Sequence, residues 1–151
     1  MKNFFRFYGY RAYSSRLFLG CSFDLSLVNL ESLKNHPSST EKINEINEED
    51  YECLEEEEIF ELVEDYVKKN YGSIFYFDRV LVDPHVSDWS DAYEAFLAIN
   101  VECEDWTIPE LTRFFTNLNP NVSDQFRALM KLLGQPEKDS EPELCSCADT
   151  W

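Results

Sequence analysis

The first apolar stretches of the chain are short, rich in rings and spaced for strands. Residues 4–13, FFRFYGYRAY, and 16–23, RLFLGCSF, are dense in aromatic and β-forming residues, which suit a pleated, half-buried surface. With Ser14-Ser15 between them, they predict two strands paired as a hairpin. Residues 24–30, DLSLVNL, alternate polar and apolar and extend the second strand. The pattern then fades. Residues 31–47 hold Pro37, three serines, Thr40 and several charges, with little that is apolar. This composition predicts a loop or linker.

After Asn47 the period becomes helical. Asn47 reads as an N-cap, with Glu48, Glu49 and Asp50 in the first turn, where acids complement the helix dipole. Ile59, Leu62, Val63 and Tyr66 recur at helical spacing as a buried stripe. Lys68 and Lys69 fall in the last turn and Gly72 just beyond. A helix over about 48–71 follows from these signals. Residues 73–83, SIFYFDRVLVD, read as a strand, and Pro84 opens the loop PHVSDWSD. Residues 92–103 place Tyr93, Ala95, Leu97, Ile99, Val101 and Cys103 on one face of a further strand. The two strands pair as a hairpin across 84–91. Thr107-Ile108-Pro109-Glu110 matches a capping box with an early proline and predicts a helix near 108–116. Residues 117–122 turn the chain at Pro120. Ser123 then caps a helix near 124–133, which Gly134 ends.

The predicted order is ββ-α-ββ-αα in a single α+β domain over residues 1–134. Its simplest architecture is an antiparallel sheet with helices on one face. Residues 135–151 read as a flexible acidic tail. The length of 151 residues suits one domain that needs no staples. The 44% apolar and 15% aromatic content supports a ring-rich core. Five cysteines at irregular spacing (Cys21, Cys53, Cys103, Cys145 and Cys147) argue for reduced thiols and a cytoplasmic location rather than a disulfide framework. No apolar run reaches the ~20 residues of a membrane span. Residues 1–23 are basic, acid-free and hold three serines. They read as an arginine-bearing hairpin, with a targeting segment as the alternative.

Charge changes the picture most. Thirty acids face thirteen basic residues, a net of −17. Residues 1–23 carry +4 through Lys2, Arg6, Arg11 and Arg16, and residues 24–151 carry −21. Such a body repels nucleic acid and anionic membranes and attracts basic proteins. Residues 48–58, EEDYECLEEEE, hold eight acids. On one helix this run would place a negative charge every ~2 Å of axis, close to the ~1.7 Å of duplex DNA. Asp50, Glu57, Glu61 and Glu64 would then fall near one line, with Glu58 and Asp65 beside it. The bland reading is a solvated face that keeps the protein soluble. Thirteen acids between residues 41 and 65 exceed that need.

The other chemistries are thinner. Residues 6–13, RFYGYRAY, resemble the RNP1 pattern of RNA-recognition motifs at Arg6, Tyr8, Gly9 and Tyr13, and depart from it at Phe7, Tyr10 and Arg11. That resemblance implies base stacking, which the net charge opposes. Cys145-x-Cys147 lacks a second ligand pair at zinc spacing. Asp83, His85, Asp88 and Asp91 do not follow calcium-loop spacing. There is no phosphate-cradling glycine loop or nucleophile elbow, and Cys103, which could pair with His85 as nucleophile and base, reads more simply as a small core residue. These absences favour a non-enzyme without metal or cofactor. The reading is therefore an acidic protein-binding module for a basic partner, in its sharpest form a nucleic-acid mimic that occupies the groove of a DNA- or RNA-handling enzyme. Anti-restriction and anti-CRISPR proteins act in this way. Charge reversal of Glu57, Glu61 and Glu64 is then expected to abolish binding. An immunity-type or accessory partner anchored by Trp89 and Trp106, with Tyr93 beside them, is the second reading. A small enzyme of unrecognised type is the third.

Overall fold

The computed structural model describes residues 3–8, 11–72, 74–81, 93–100, 108–117 and 119–150. These form a mixed α+β structure around an antiparallel sheet. The strands are β1 (Asn3–Tyr8), β2 (Arg11–Ser22), β3 (Phe75–Leu81), β4 (Tyr93–Ile99) and β5 (Glu143–Thr150). The helices are α1 (Leu30–Lys34), α2 (Glu41–Asn44), α3 (Glu56–Tyr71), α4 (Ile108–Thr116) and α5 (Pro120–Leu132).

The long strand β2 organises the sheet. Its first half pairs with β1, from Tyr8↔Arg11 to Asn3↔Arg16. Its last four residues pair with β4, which in turn pairs with β3. Residues 13–20 pair with β5. Since Tyr13–Arg16 pair with β1 and β5 at once, and Leu19 and Gly20 with β4 and β5 at once, β5 occupies the opposite edge of β2. Gly20 sits where β2 and β4 meet. A Cβ there would lie 2.1 Å from the Leu97 carbonyl oxygen and 2.8 Å from the Ala98 Cα, so the approach requires glycine.

Side-chain alternation divides the sheet. Leu19, Cys21, Phe75, Phe77, Leu97 and Ile99 enter the main core with the helices. Phe18, Phe96 and Ala98 are buried on the other face, where Phe18 stacks on Phe96 at 4.3 Å between ring centroids. Phe60 of α3 packs on Phe77, and Phe126 of α5 meets Phe75 edge-on, so α3 and α5 cover the same face. Helix α3 buries Phe60, Leu62, Val63, Tyr66 and Val67. At about 1.5–3 kcal/mol for each large side chain, this stripe is the main force holding α3 to the sheet.

Several expectations are corrected. Ser14 and Ser15 do not separate the first two strands. They lie inside β2, and the chain reverses between Tyr8 and Arg11. Residues 24–30 do not extend β2. The Asp24 carboxylate accepts the Ser26 backbone N–H at 3.0 Å and its hydroxyl at 2.6 Å, which turns the chain into a 3₁₀ turn at Leu25–Leu27. Asn29 then caps α1 through the Ser32 N–H at 3.1 Å. The 31–47 loop thus contains α1 and α2. The helix over 48–71 is two pieces, a 3₁₀ turn at Glu48–Cys53 and α3 from Glu56. Acids four apart, such as Glu48 with Glu52 and Glu52 with Glu56, oppose one continuous α-helix. The last helix begins at Pro120 rather than 124, with Asn119 as its cap at 3.0 Å from the Asn121 N–H. Residues 143–150, expected as a loose tail, are β5, because the second edge of β2 needs hydrogen-bond partners. The order ββ-α-ββ-αα therefore gains short helices before α3 and a closing strand. Among the described residues no helix is long and apolar enough to cross a membrane.

Candidate partner-binding surface

The surface begins with what fixes α3. Its buried stripe sets which residues face outward. At about 100° per residue, Glu57, Glu61 and Glu64 fall within about 60° of one another and opposite that stripe. Glu58, Glu61 and Glu64 are exposed, and Asp65 is half-buried. Two further ties hold the helix. The Tyr66 side chain is fully buried, and its hydroxyl lies 2.5 Å from Ser38 Oγ in the α1–α2 connection. Burial pushes this phenol above its usual value. Asn70 donates to the Ser38 carbonyl at 3.1 Å.

The six predicted acids do not form one set. Glu57 is engaged internally. Its carboxylate accepts a hydrogen bond from Arg79 of β3, and the guanidinium lies 3.9 Å over the Phe60 ring. That hydrogen bond holds the Glu57 carboxyl below its ordinary value. Asp65 keeps only 13% of its side chain exposed and lies 3.5 Å from Lys69. Asp50 is exposed but belongs to the 3₁₀ turn, so it does not continue the line of α3. Glu58 reaches back to the Glu55 N–H at 3.4 Å, which supports the start of the helix. Glu61 and Glu64 have no ion-pair partner among the described residues. Trp89 and Trp106 lie outside the described residues, as do Asp83, His85, Asp88, Asp91 and Cys103. Tyr93 opens β4.

The structure adds a neighbouring region that the sequence reading missed. A cleft of about 650 Å³ opens beside the first residue of α3. Asp24, Glu56, Glu94, Asp139, Glu141 and Glu143 line it, and among the described residues Lys138 is the one lysine or arginine beside them. Four distant segments contribute: the end of β2, the start of α3, the start of β4 and the stretch after α5. No local pattern links them, so only the fold reveals the cluster. Its base is well built. Gln135, 7% exposed, accepts the Asp24 N–H at 2.8 Å and donates to the Asp24 carbonyl at 2.9 Å. The buried Cys21 thiol donates to the Glu141 carbonyl at 2.7 Å. Glu56 joins this cleft to the acidic side of α3.

The chemistry on offer is electrostatic. Among the described residues, no three histidine, cysteine or acidic side chains gather at metal-binding distance. Cys145 and Cys147 lie on β5, opposite Phe18 and Arg16 of β2. His36 lies in the α1–α2 connection, where its Nδ1 lies 2.5 Å from Ser38 Oγ. No family model, curated protein or solved structure matches the chain.

Proposed function

We propose that the chain is an acidic docking module that occupies a basic surface on a partner protein. The observation that carries this reading is the state of the α3 carboxylates. Glu61 and Glu64 stand exposed on a helix anchored by five buried side chains, with no ion-pair partner among the described residues. The anchoring holds the helix backbone in place and so fixes the spacing of these carboxylates. That suits recognition, because a preorganised backbone spends less conformational entropy on binding.

The sharper form is a nucleic-acid mimic that blocks a DNA- or RNA-handling enzyme. Glu58, Glu61 and Glu64 give one carboxylate per ~4.5 Å of helix axis, against ~3.4 Å per phosphate along one DNA strand. The split between the 48–53 turn and α3 bends the acidic run, so the imitation is of a charged groove-filler rather than a straight rod. The cleft carboxylates extend the same field.

The test is a pull-down from the host at low salt, eluted by a salt gradient and read by mass spectrometry. The expected result is a basic nucleic-acid-handling protein that leaves the column as salt rises. Glu58→Lys, Glu61→Lys and Glu64→Lys together should release it, whereas Glu57→Lys also strains the Arg79 contact and is less diagnostic. Retention that is unchanged at high salt would contradict an electrostatic interface.

A further inference from the structure

The two charge signs are separated along the chain. Residues 1–23 carry four basic residues and no acid, and the acids crowd residues 41–65. The strand register places Arg6, Arg11 and Arg16 in the β1–β2 ladder, opposite Tyr13, Tyr8 and Asn3. Helix α3 instead packs on β3, which joins the sheet through β4 and the last residues of β2. At about 3.3 Å per residue, Arg11 lies roughly 35 Å along β2 from Ser22. Among the described residues β1 pairs with β2 alone.

We propose that the β1–β2 hairpin docks on the acidic side of α3 in a second copy of this chain. Charge complementarity selects that occupant: the hairpin is cationic, and α3 presents Glu58, Glu61 and Glu64 outward. The contact is heterologous, so it builds head-to-tail chains or rings. Ionic strength decides its strength. At ~0.01 M salt the Debye length is ~30 Å, and repulsion between the two net-negative bodies acts across the whole complex. At ~0.1 M it is ~10 Å, which mutes body repulsion and spares charges in contact. At ~1 M it is ~3 Å, and the contact itself weakens. The proposal rests on the same acidic face as the preceding reading, which self-association would occupy until a more basic partner displaces the hairpin.

Sedimentation velocity of the purified chain tests this. At ~0.1 M salt the mass should rise with concentration to that of a dimer or longer chain, and return to monomer at ~1 M salt. The hairpin variant Arg6→Gln/Arg11→Gln and the helix variant Glu58→Gln/Glu61→Gln/Glu64→Gln should each be monomeric alone. Mixed in equal amounts they should form heterodimers and nothing longer, since one intact interface remains, and this also shows that both variants fold. Wild type that stays monomeric, or a mixture that stays monomeric, overturns the proposal. So does a mass change that requires added single-stranded RNA, which would make the hairpin a nucleic-acid arm. Monomeric wild type that still retains a basic partner in the pull-down removes self-association and leaves the docking module intact.

Discussion

Replacing Gln135 with leucine removes the hydrogen bonds that join the end of α5 to the turn after β2, while nearly preserving volume. Gln135 is 7% exposed and bonds both backbone groups of Asp24, at 2.8 and 2.9 Å, and the Leu133 carbonyl at 3.2 Å. An unpaired polar group costs about 1–3 kcal/mol when buried. Asp24 borders the acidic cleft, where water can serve part of the loss, so about 2 kcal/mol in total is expected. For a chain of this size that corresponds to a fall in Tm of about 4–8 °C by calorimetry. The Gln135→Glu variant separates hydrogen bonding from packing. The introduced carboxylate still accepts from the Asp24 N–H but faces two carbonyl oxygens. Its folded-state pKa is therefore raised, and it should destabilise more than leucine near neutral pH and recover as pH falls. A leucine variant within about 0.5 kcal/mol of wild type, the range of an ordinary surface change, would refute the assigned role.

Two further outcomes follow from the same geometry. Gly134→Ala should cost about 1–2 kcal/mol in chemical denaturation from the left-handed backbone alone, because φ is 81° there. A further cost is expected because the new Cβ would lie 2.2 Å from the Leu27 carbonyl oxygen. Unchanged stability would contradict that backbone. Glu57→Gln should be less stable than wild type at neutral pH. The Arg79 hydrogen bond lowers the folded-state pKa of Glu57 below 4.5, so its contribution is present above about 4.5 and fades as pH falls through the folded value. The gap between variant and wild type in pH-dependent melts should close in acid. A gap of constant size would assign the loss to packing.

The elements legible in the sequence were those whose signals are local. The stripe at Leu62, Val63 and Tyr66 is buried as its spacing requires, although Ile59 is half-buried and Phe60 and Val67 complete the face. Gly134 ends α5 as expected. The Gly134 N–H bonds to the Lys131 carbonyl and the Gln135 N–H to the Met130 carbonyl, at 3.0 and 2.9 Å, the Schellman closure for which glycine is suited. The pairing of β3 with β4 also follows its alternation. Other features depend on competition between signals. DLSLVNL alternates like a strand, but Asp24 and Asn29 satisfy backbone N–H groups and impose turns and caps. Strand β5 has a polar sequence and forms because β2 offers a free edge to it. The candidate surface divides in the same way. Exposure of Glu58, Glu61 and Glu64 follows from helical period, whereas capture of Glu57 by Arg79 is a contact 22 residues apart. The acidic cleft assembles residues from Asp24 to Glu143.

The central claim is that the fixed carboxylates of α3 dock on a basic protein. The most direct measurement is titration calorimetry of wild type and the Glu58→Lys/Glu61→Lys/Glu64→Lys variant against the partner recovered from the pull-down, at low and high salt, with circular dichroism confirming that the variant folds. The expected result is wild-type affinity that falls steeply as salt rises and a folded variant whose binding is lost at every salt. Equal affinity for the two proteins, or affinity indifferent to salt, would contradict it.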